Sequence, residues 1–295
     1  MTKNKFLELK KQHSYKNQYK VKGRDELEQI IKLAESIDVH MDLNWLDVSR
    51  IRKMSELFQD SKFNGDISKW DVSNVRYMND MFKESKFNGD ISKWNVSKVK
   101  NMCCMFESSE FNGDISNWDV SNVENMSSMF ADSEFNGDIS NWDVSNVNGM
   151  GNMFKGSKFN GDISKWNVSN VENMCCMFEE SEFNGDISKW NVSNVKNMCC
   201  MFENSKFNGD ISKWDVSNVK NADNFNPYLD INNVDDLRNY ISFLRSIYND
   251  KPIEVKAKEG WFKTEGVPLY IANRLNKNPK FVNEIKKVIC LGDHK

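Results

Sequence analysis

"FNGDISKWDVSNV", residues 63–75, returns with hardly a letter changed from Phe87, Phe111, Phe135, Phe159, Phe183 and Phe207. The starts are 24 residues apart, and self-similarity at a fixed short period marks an array of structural units rather than a single irregular domain. The length of the chain therefore reflects copy number.

The register extends backwards, more loosely, through Asp42, Leu43, Asp47, Val48, Ser49, Ile51, Met54, Leu57 and Phe58, which align with Asp66, Ile67, Asp71, Val72, Ser73, Val75, Met78, Met81 and Phe82. At the other end it fades after Val219, where Ala222, Phe225 and Asn226 replace Met, Met and Phe. Atypical terminal units are what a stack needs, because an end unit has a neighbour on one side only.

Within one unit the apolar positions are Phe63, Ile67, Trp70, Val72, Val75, Met78, Met81 and Phe82. Ile67, Trp70 and Val72 have the L-x-x-L-x-L spacing of a leucine-rich repeat, and the alternation at Trp70-Asp71-Val72 predicts a short strand. Met78, Met81 and Phe82 fall at i, i+3 and i+4, which predicts one helical turn. Asn64-Gly65 is a turn dipeptide, and the recurrence of Gly65 predicts a backbone reversal with positive φ. A single unit buries too little apolar surface to offset the entropy of ordering 24 residues, so only a stack folds.

These words, W-D-V-S-x-V-x-x-M-x-x-M-F and F-N-G-D-I, resemble those of the BspA-like leucine-rich-repeat proteins, a repeat family also found in mycoplasma lipoproteins. The resemblance covers residues 42–221, and Tyr19 to Lys22 followed by Asp25 to Ile37 resembles the short helix that introduces such arrays. It implies a curved solenoid used for adhesion or protein interaction. Many of those relatives are surface proteins.

The expected architecture is a leucine-rich-repeat-type solenoid of about eight rungs. A basic arm and capping helix occupy residues 1–38, the array 39–226 and a small α-rich domain 227–295. GRDELEQIIKLAESI is the amphipathic cap. Asn233 to Tyr248, Pro268 to Leu275 and Pro279 to Val288 read as helices, and Ile253 to Lys256 as a strand. The stretch Lys3 to Lys22 reads as a solvated basic arm.

Composition excludes several classes. With 39% hydrophobic and 28% charged residues and a net charge of −3, no apolar run approaches the ~18 residues of a membrane span. No secretory leader opens the sequence, which predicts a cytoplasmic location. Residues 37–221 hold nineteen Lys/Arg against twenty-eight acids. An acidic array disfavours nucleic-acid binding. His13, His40 and His294 lie outside the seven clear copies, no phosphate-cradling loop occurs, and no nucleophile has a base partner; the reading is non-enzymatic, with no cofactor and no metal.

Repetition turns single residues into surface columns. Asp47, Asp71, Asn95, Asp119, Asp143, Asn167, Asn191 and Asp215 form one, flanked by Lys69, Lys93, Lys165, Lys189 and Lys213, with Asn117 and Asn141 completing the flank. This polar strand face is the predicted docking surface for a protein partner. Asp66, Asp90, Asp114, Asp138, Asp162, Asp186 and Asp210 form a second column, read as turn acceptors rather than cation ligands. The N-x-S words at Asn95, Asn167 and Asn191 read as structural, since Asp serves in sister units.

Six of the seven cysteines are vicinal pairs, Cys103-Cys104, Cys175-Cys176 and Cys199-Cys200, in slots held elsewhere by small residues such as Ser127-Ser128. The register brings Cys176 and Cys200 within reach of each other, but no C-x-x-C spacing or clustered histidine marks a metal site, and they read as structural thiols. Two rival functions are an intracellular inhibitor that presents its acidic body to a nucleic-acid enzyme, and a surface adhesin exported by a non-classical route.

Overall fold

The computed structural model describes residues 1–211, 213–222 and 225 in full, and the backbone of 252–257 and 260–265. Its elements are α1 (Lys3–Gln12), β1 (Tyr19–Lys20), α2 (Arg24–Ile37), β2 (Leu46–Asp47), β3 (Pro252–Ala257) and β4 (Gly260–Glu265). Between β2 and β3 lie the tandem repeats, which contain almost no regular secondary structure. They are joined instead by parallel bridges that run Lys53, Tyr77, Asn101, Asn125, Gly149, Asn173, Asn197, Asn221. Every step is 24 residues, so each repeat lies in register on the next.

The order without helices or long strands comes from backbone hydrogen bonding. In the unit that starts at Phe87, the N–H groups of Met102, Cys104, Phe106 and Ser108 donate to the carbonyls of Asn125, Ser127, Met129 and Ala131 in the next unit, at 2.8–3.0 Å. The N–H groups between them turn inward: Met105 donates to Met102, Glu107 to Cys104 and Ser109 to Phe106. Cys103 N–H donates to the Asn101 side chain at 2.9 Å. Alternate peptides thus bond across the stack or within their own turn, and the buried backbone is satisfied throughout this stretch.

This pattern corrects the predicted helical turn at Met78 to Phe82. The segment is a run of tight turns in which every fourth residue is left-handed: Asp80 (φ 56), Glu84 (φ 55), Cys104 (φ 56) and Ser108 (φ 54), with counterparts in the later units. Turns with positive φ at their third residue point alternate amides up and down the stack, whereas helical bonds would keep them within one unit. The i, i+3, i+4 apolar spacing survives because these turns still direct Met78, Met81 and Phe82 inward, all fully buried.

The predicted strand at Trp70-Asp71-Val72 is also absent as a repeating feature. Trp70 N–H donates to Ile67 O and Val75 N–H to Val72 O, so two turns flank Asp71 and the inter-unit ladder sits at the Tyr77 column instead. Only the first unit has a strand there. β2 pairs in parallel with β1, with Tyr19 opposite Leu46 and Lys20 opposite Asp47.

The recurring glycine has a different cause from the one expected. Gly156 is the one glycine of positive φ among the described residues. At Gly89 an added Cβ would stand 2.9 Å from the Phe87 ring, and the same holds at Gly113 against Phe111 and Gly137 against Phe135. Glycine is required there by close approach of the ring two residues earlier.

The core is two aromatic columns. Phe82, Phe106, Phe130, Phe154, Phe178 and Phe202 stack at 5.6–5.8 Å, and Phe87 through Phe207 form a parallel column. Each ring of the first column meets the ring five residues on, which opens the next unit, at 4.2–4.6 Å. Indole nitrogens are satisfied across units: Trp94 Nε1 donates to Ile67 O, Trp118 to Ile91 O and Trp142 to Ile115 O, at 3.1–3.2 Å. The FNGD asparagines form a ladder in which Asn88 N–H donates to the Asn64 side chain, Asn112 to Asn88 and Asn136 to Asn112, each 2.9 Å.

The amino-terminal segment is ordered rather than a solvated arm. α1 is capped by Thr2 and buries Phe6 completely, edge-on to Trp45 at 5.8 Å. α2 presents Leu27, Ile30, Ile31 and Ala34 to the core, as its amphipathic pattern predicts. A basic surface on α1 conceals the fully buried Phe6, with Met1, Leu7 and Leu9 half-buried against the same core. The strand predicted at Ile253 to Lys256 is present as β3, which pairs antiparallel with β4. The predicted helices Asn233 to Tyr248, Pro268 to Leu275 and Pro279 to Val288 lie outside the described residues.

Candidate functional site

The Asp71 column is brought to the surface as predicted, but on a line of turns. Asp71, Asn95, Asp119, Asp143, Asn167, Asn191 and Asp215 are exposed, and Asp47 is half-buried. Each uses Oδ1 to accept the N–H two residues on: Ser73 to Asp71 at 3.0 Å, Ser97 to Asn95 at 3.1 Å, Ser121 to Asp119 at 3.1 Å, Ser145 to Asp143 at 3.0 Å. The later units repeat it at Asn167, Asn191 and Asp215, and the first unit at Asp47. An amide oxygen performs this task as well as a carboxylate, which explains why Asn and Asp alternate. The Ser145 hydroxyl and N–H hold the Asp143 carboxyl below the usual range, and Ser217 does the same at Asp215.

The Asp66 column behaves likewise. Ser68, Ser92, Ser116 and Ser140 N–H donate to Asp66, Asp90, Asp114 and Asp138, each at 2.9 Å. Hydrogen bonds from Ser92 depress the Asp90 pKa, and those from Ser116 and Ser140 depress Asp114 and Asp138 against the repulsion of neighbouring carboxylates. The acidic row is thus held ionised by its own turns.

Charge pairing separates this face from the rest of the array. Lys83–Glu107, Lys86–Glu110, Lys100–Glu124, Lys155–Glu179, Lys158–Glu134, Lys196–Glu172 and Lys206–Glu182 are ion pairs, and each joins positions 24 apart. Among the described residues no member of the Asp71 column or of the flanking Lys69, Lys93, Lys165, Lys189 and Lys213 takes part in an ion pair. Lys69 lies 4.6 Å above the Tyr15 ring, and the other four lysines are exposed. Those Lys–Glu pairs bind neighbouring units to one another; the charges of the Asp71 and Lys69 columns face outward.

Two features lie outside these columns. Gly149, where other units carry Lys, Tyr or Asn, lies in a shallow groove of about 450 Å³ lined by Asn125, Ser127, Asn148, Gly149, Glu172 and Asn173. The parallel bridge continues through Gly149, so the backbone is undisturbed. The second feature is a thiol cluster. Cys175 Sγ lies 3.3 Å from Cys176 Sγ and 2.7 Å from Cys199 Sγ, and the three sulfurs lie within 4.8 Å of one another. The shortest inter-unit approach is thus Cys175 to Cys199, one position before the pair expected. The signal was present in the register, since 175 and 199 differ by one period. What the spacing rules seek is a chelating loop, and here the loop is a full turn of the stack.

The chain matches the model of a family described as mycoplasma protein of unknown function, DUF285, over residues 25–136 and again over 131–239. Those two tandem matches span well over half of the chain, and the chain belongs to that family. No curated protein and no solved structure matches it. No helix among the described residues is long and apolar enough to cross a membrane.

Proposed function

We propose that this member of the DUF285 family is a non-enzymatic protein-binding module, a leucine-rich-repeat-type solenoid of the BspA-like kind that docks a partner along the Asp71 and Lys69 columns. One observation carries the reading: where Lys and Glu fall in register they pair from unit to unit, whereas among the described residues the Asp71 and Lys69 columns form no ion pair and face solvent. A rigid row of regularly spaced charges selects a partner of complementary pattern and speeds encounter more than it raises affinity. With the Asp66 row alongside, the face is predominantly acidic, and the partner surface it fits is basic. A cytoplasmic setting is part of the proposal.

The turn chemistry supplies a clean test. Asn already holds the same turn at positions 95, 167 and 191, so Asp71→Asn, Asp119→Asn, Asp143→Asn and Asp215→Asn together remove charge without removing the Oδ1 acceptor. Affinity capture from the native host's lysate with the full chain and with this quadruple variant is the measurement. A partner retained by the first and lost by the second, with salt-sensitive binding, supports the reading. Equal retention by both contradicts it.

A further inference from the structure

The thiol cluster is a site of a different kind. Cys175 and Cys199 occupy the same slot in adjacent units, and the stack holds their backbones rigidly. Asn152 N–H donates to Cys175 O at 2.8 Å and Cys176 N–H to Cys199 O at 2.7 Å. Cys175 N–H and Cys199 N–H each donate to an asparagine side chain, Asn173 and Asn197. The three sulfurs are half-buried, accessible to an ion but fixed by a fully bonded backbone.

We infer that Cys175, Cys176 and Cys199 form a site for a soft divalent cation, with zinc the fitting species. Zinc–thiolate bonds of about 2.3 Å in a tetrahedron place sulfurs roughly 3.8 Å apart. Two of the observed separations, 2.7 and 3.3 Å, are shorter than that value, and all three sulfurs lie within 4.8 Å of one another. Cys200, the neighbour of Cys199, interacts with Cys176 and stands beside the cluster as a fourth sulfur. Soft thiolate ligands select zinc over calcium or magnesium.

Protonation follows from the same surroundings. Burial, then the hydrogen bond with Cys199, pushes the Cys175 thiol up to about 11, and burial with the nearby Glu203 pushes Cys200 up to about 12. Each thiol that coordinates does so as thiolate, giving its proton to solvent as the Zn–S bond forms, with no change of oxidation state.

The molecule contains its own control. Cys103 and Cys104 are a vicinal pair in the same slot, 3.2 Å apart, but the adjacent units carry Asn79-Asp80 and Ser127-Ser128. Two thiols there face no third. The serine pair also makes the variant safe: Ser128 has φ 56 and Cys176 φ 54, so Cys175→Ser with Cys176→Ser installs a pair the array already accommodates.

The test titrates the full reduced chain with Zn²⁺ against a chromophoric chelator, under argon and with a phosphine reductant, while tryptophan fluorescence verifies folding. One zinc per chain is expected. The Cys175→Ser/Cys176→Ser variant should lose about 100-fold or more in affinity, and Cys103→Ser/Cys104→Ser should stay within about twofold. Equal affinity in both variants, or no stoichiometric binding by the parent, overturns the assignment. A parent that binds no zinc yet yields a Cys175–Cys199 cross-linked peptide after exposure to oxygen overturns it in favour of a redox link.

Discussion

An interior unit and the first unit of the array solve the same problem differently. Inside, Trp142 buries its indole and donates to Ile115 of the unit before it. The first unit has no preceding repeat, and Leu46, whose side chain has no N–H to satisfy, stands in the tryptophan column. Its exposed end is covered instead by α1, α2 and β1, with Phe6 on Trp45 and Gln18 Nε2 donating to Asn44 O at 2.9 Å. The cover is imperfect. Among the described residues, the three buried side-chain nitrogens without a partner, Arg24 Nε, Asn44 Nδ2 and Trp45 Nε1, all lie at this end. Repetition satisfies polar groups automatically, and a unique cap has to satisfy them one at a time.

Breaking the interior should cost most. Phe130→Ala removes a ring that stacks on Phe106, Phe154 and Phe135, and about 3–5 kcal/mol should be lost in denaturant unfolding. A loss below about 1 kcal/mol would mean the aromatic columns are loosely packed. Gly113→Ala forces a Cβ to 2.9 Å from the Phe111 ring and should cost roughly 1–3 kcal/mol; a neutral result would show that the ring can move aside.

The indoles sharpen the contrast. Trp142→Phe leaves the Ile115 carbonyl without its donor and should destabilise by about 1–3 kcal/mol, whereas Trp45→Phe removes a buried N–H that has no acceptor and should be neutral or stabilising. Thermal unfolding of the two variants side by side decides it, and equal losses would contradict the distinction between cap and interior. Smallest of the mutational effects, Glu180→Gly relieves a left-handed residue (φ 55) in the column where Gly156 already sits, and should add roughly 0.5–1 kcal/mol.

Acid sensitivity follows from the depressed Asp90, Asp143 and Asp215 carboxyls. A group whose pKa is lower folded than unfolded stabilises above its unfolded value, near 3.9, and that contribution is lost as pH falls through the lower folded value. Stability in urea should therefore be flat above about pH 5 and fall progressively below about pH 4. The Asp-to-Asn quadruple variant should fall less steeply.

The sequence made the period, the inward set and both atypical ends legible, because near-identical copies leave little freedom of register. Phe82, Trp94 and Met105 are buried where the apolar pattern put them. It did not reveal the backbone. Met78, Met81 and Phe82 share one face in a helix and in a chain of tight turns alike, and only the left-handed residues at Asp80 and Glu84 separate the two. Those positions carry Asp, Cys, Ser, Asn and Glu, with glycine at position 156 alone, so the usual marker of positive φ was nearly silent. The Gly65 column misled for the converse reason: its glycines answer to a neighbouring ring. At the candidate face, composition identified the columns but not the ion pairing that singles them out, since pairing depends on which side chains meet across units. The basic amino terminus hid a single buried Phe6.

The claim that units are equivalent and bonded only to their neighbours is tested most directly by deleting residues 111–134 and following unfolding of the shortened chain by tryptophan fluorescence. Removal of a whole period places Phe135 where Phe111 stood, on the same Phe87, so the account predicts a single cooperative transition with stability only modestly reduced. A chain that aggregates or unfolds without a cooperative transition would contradict the 24-residue register on which the fold and the candidate face both depend.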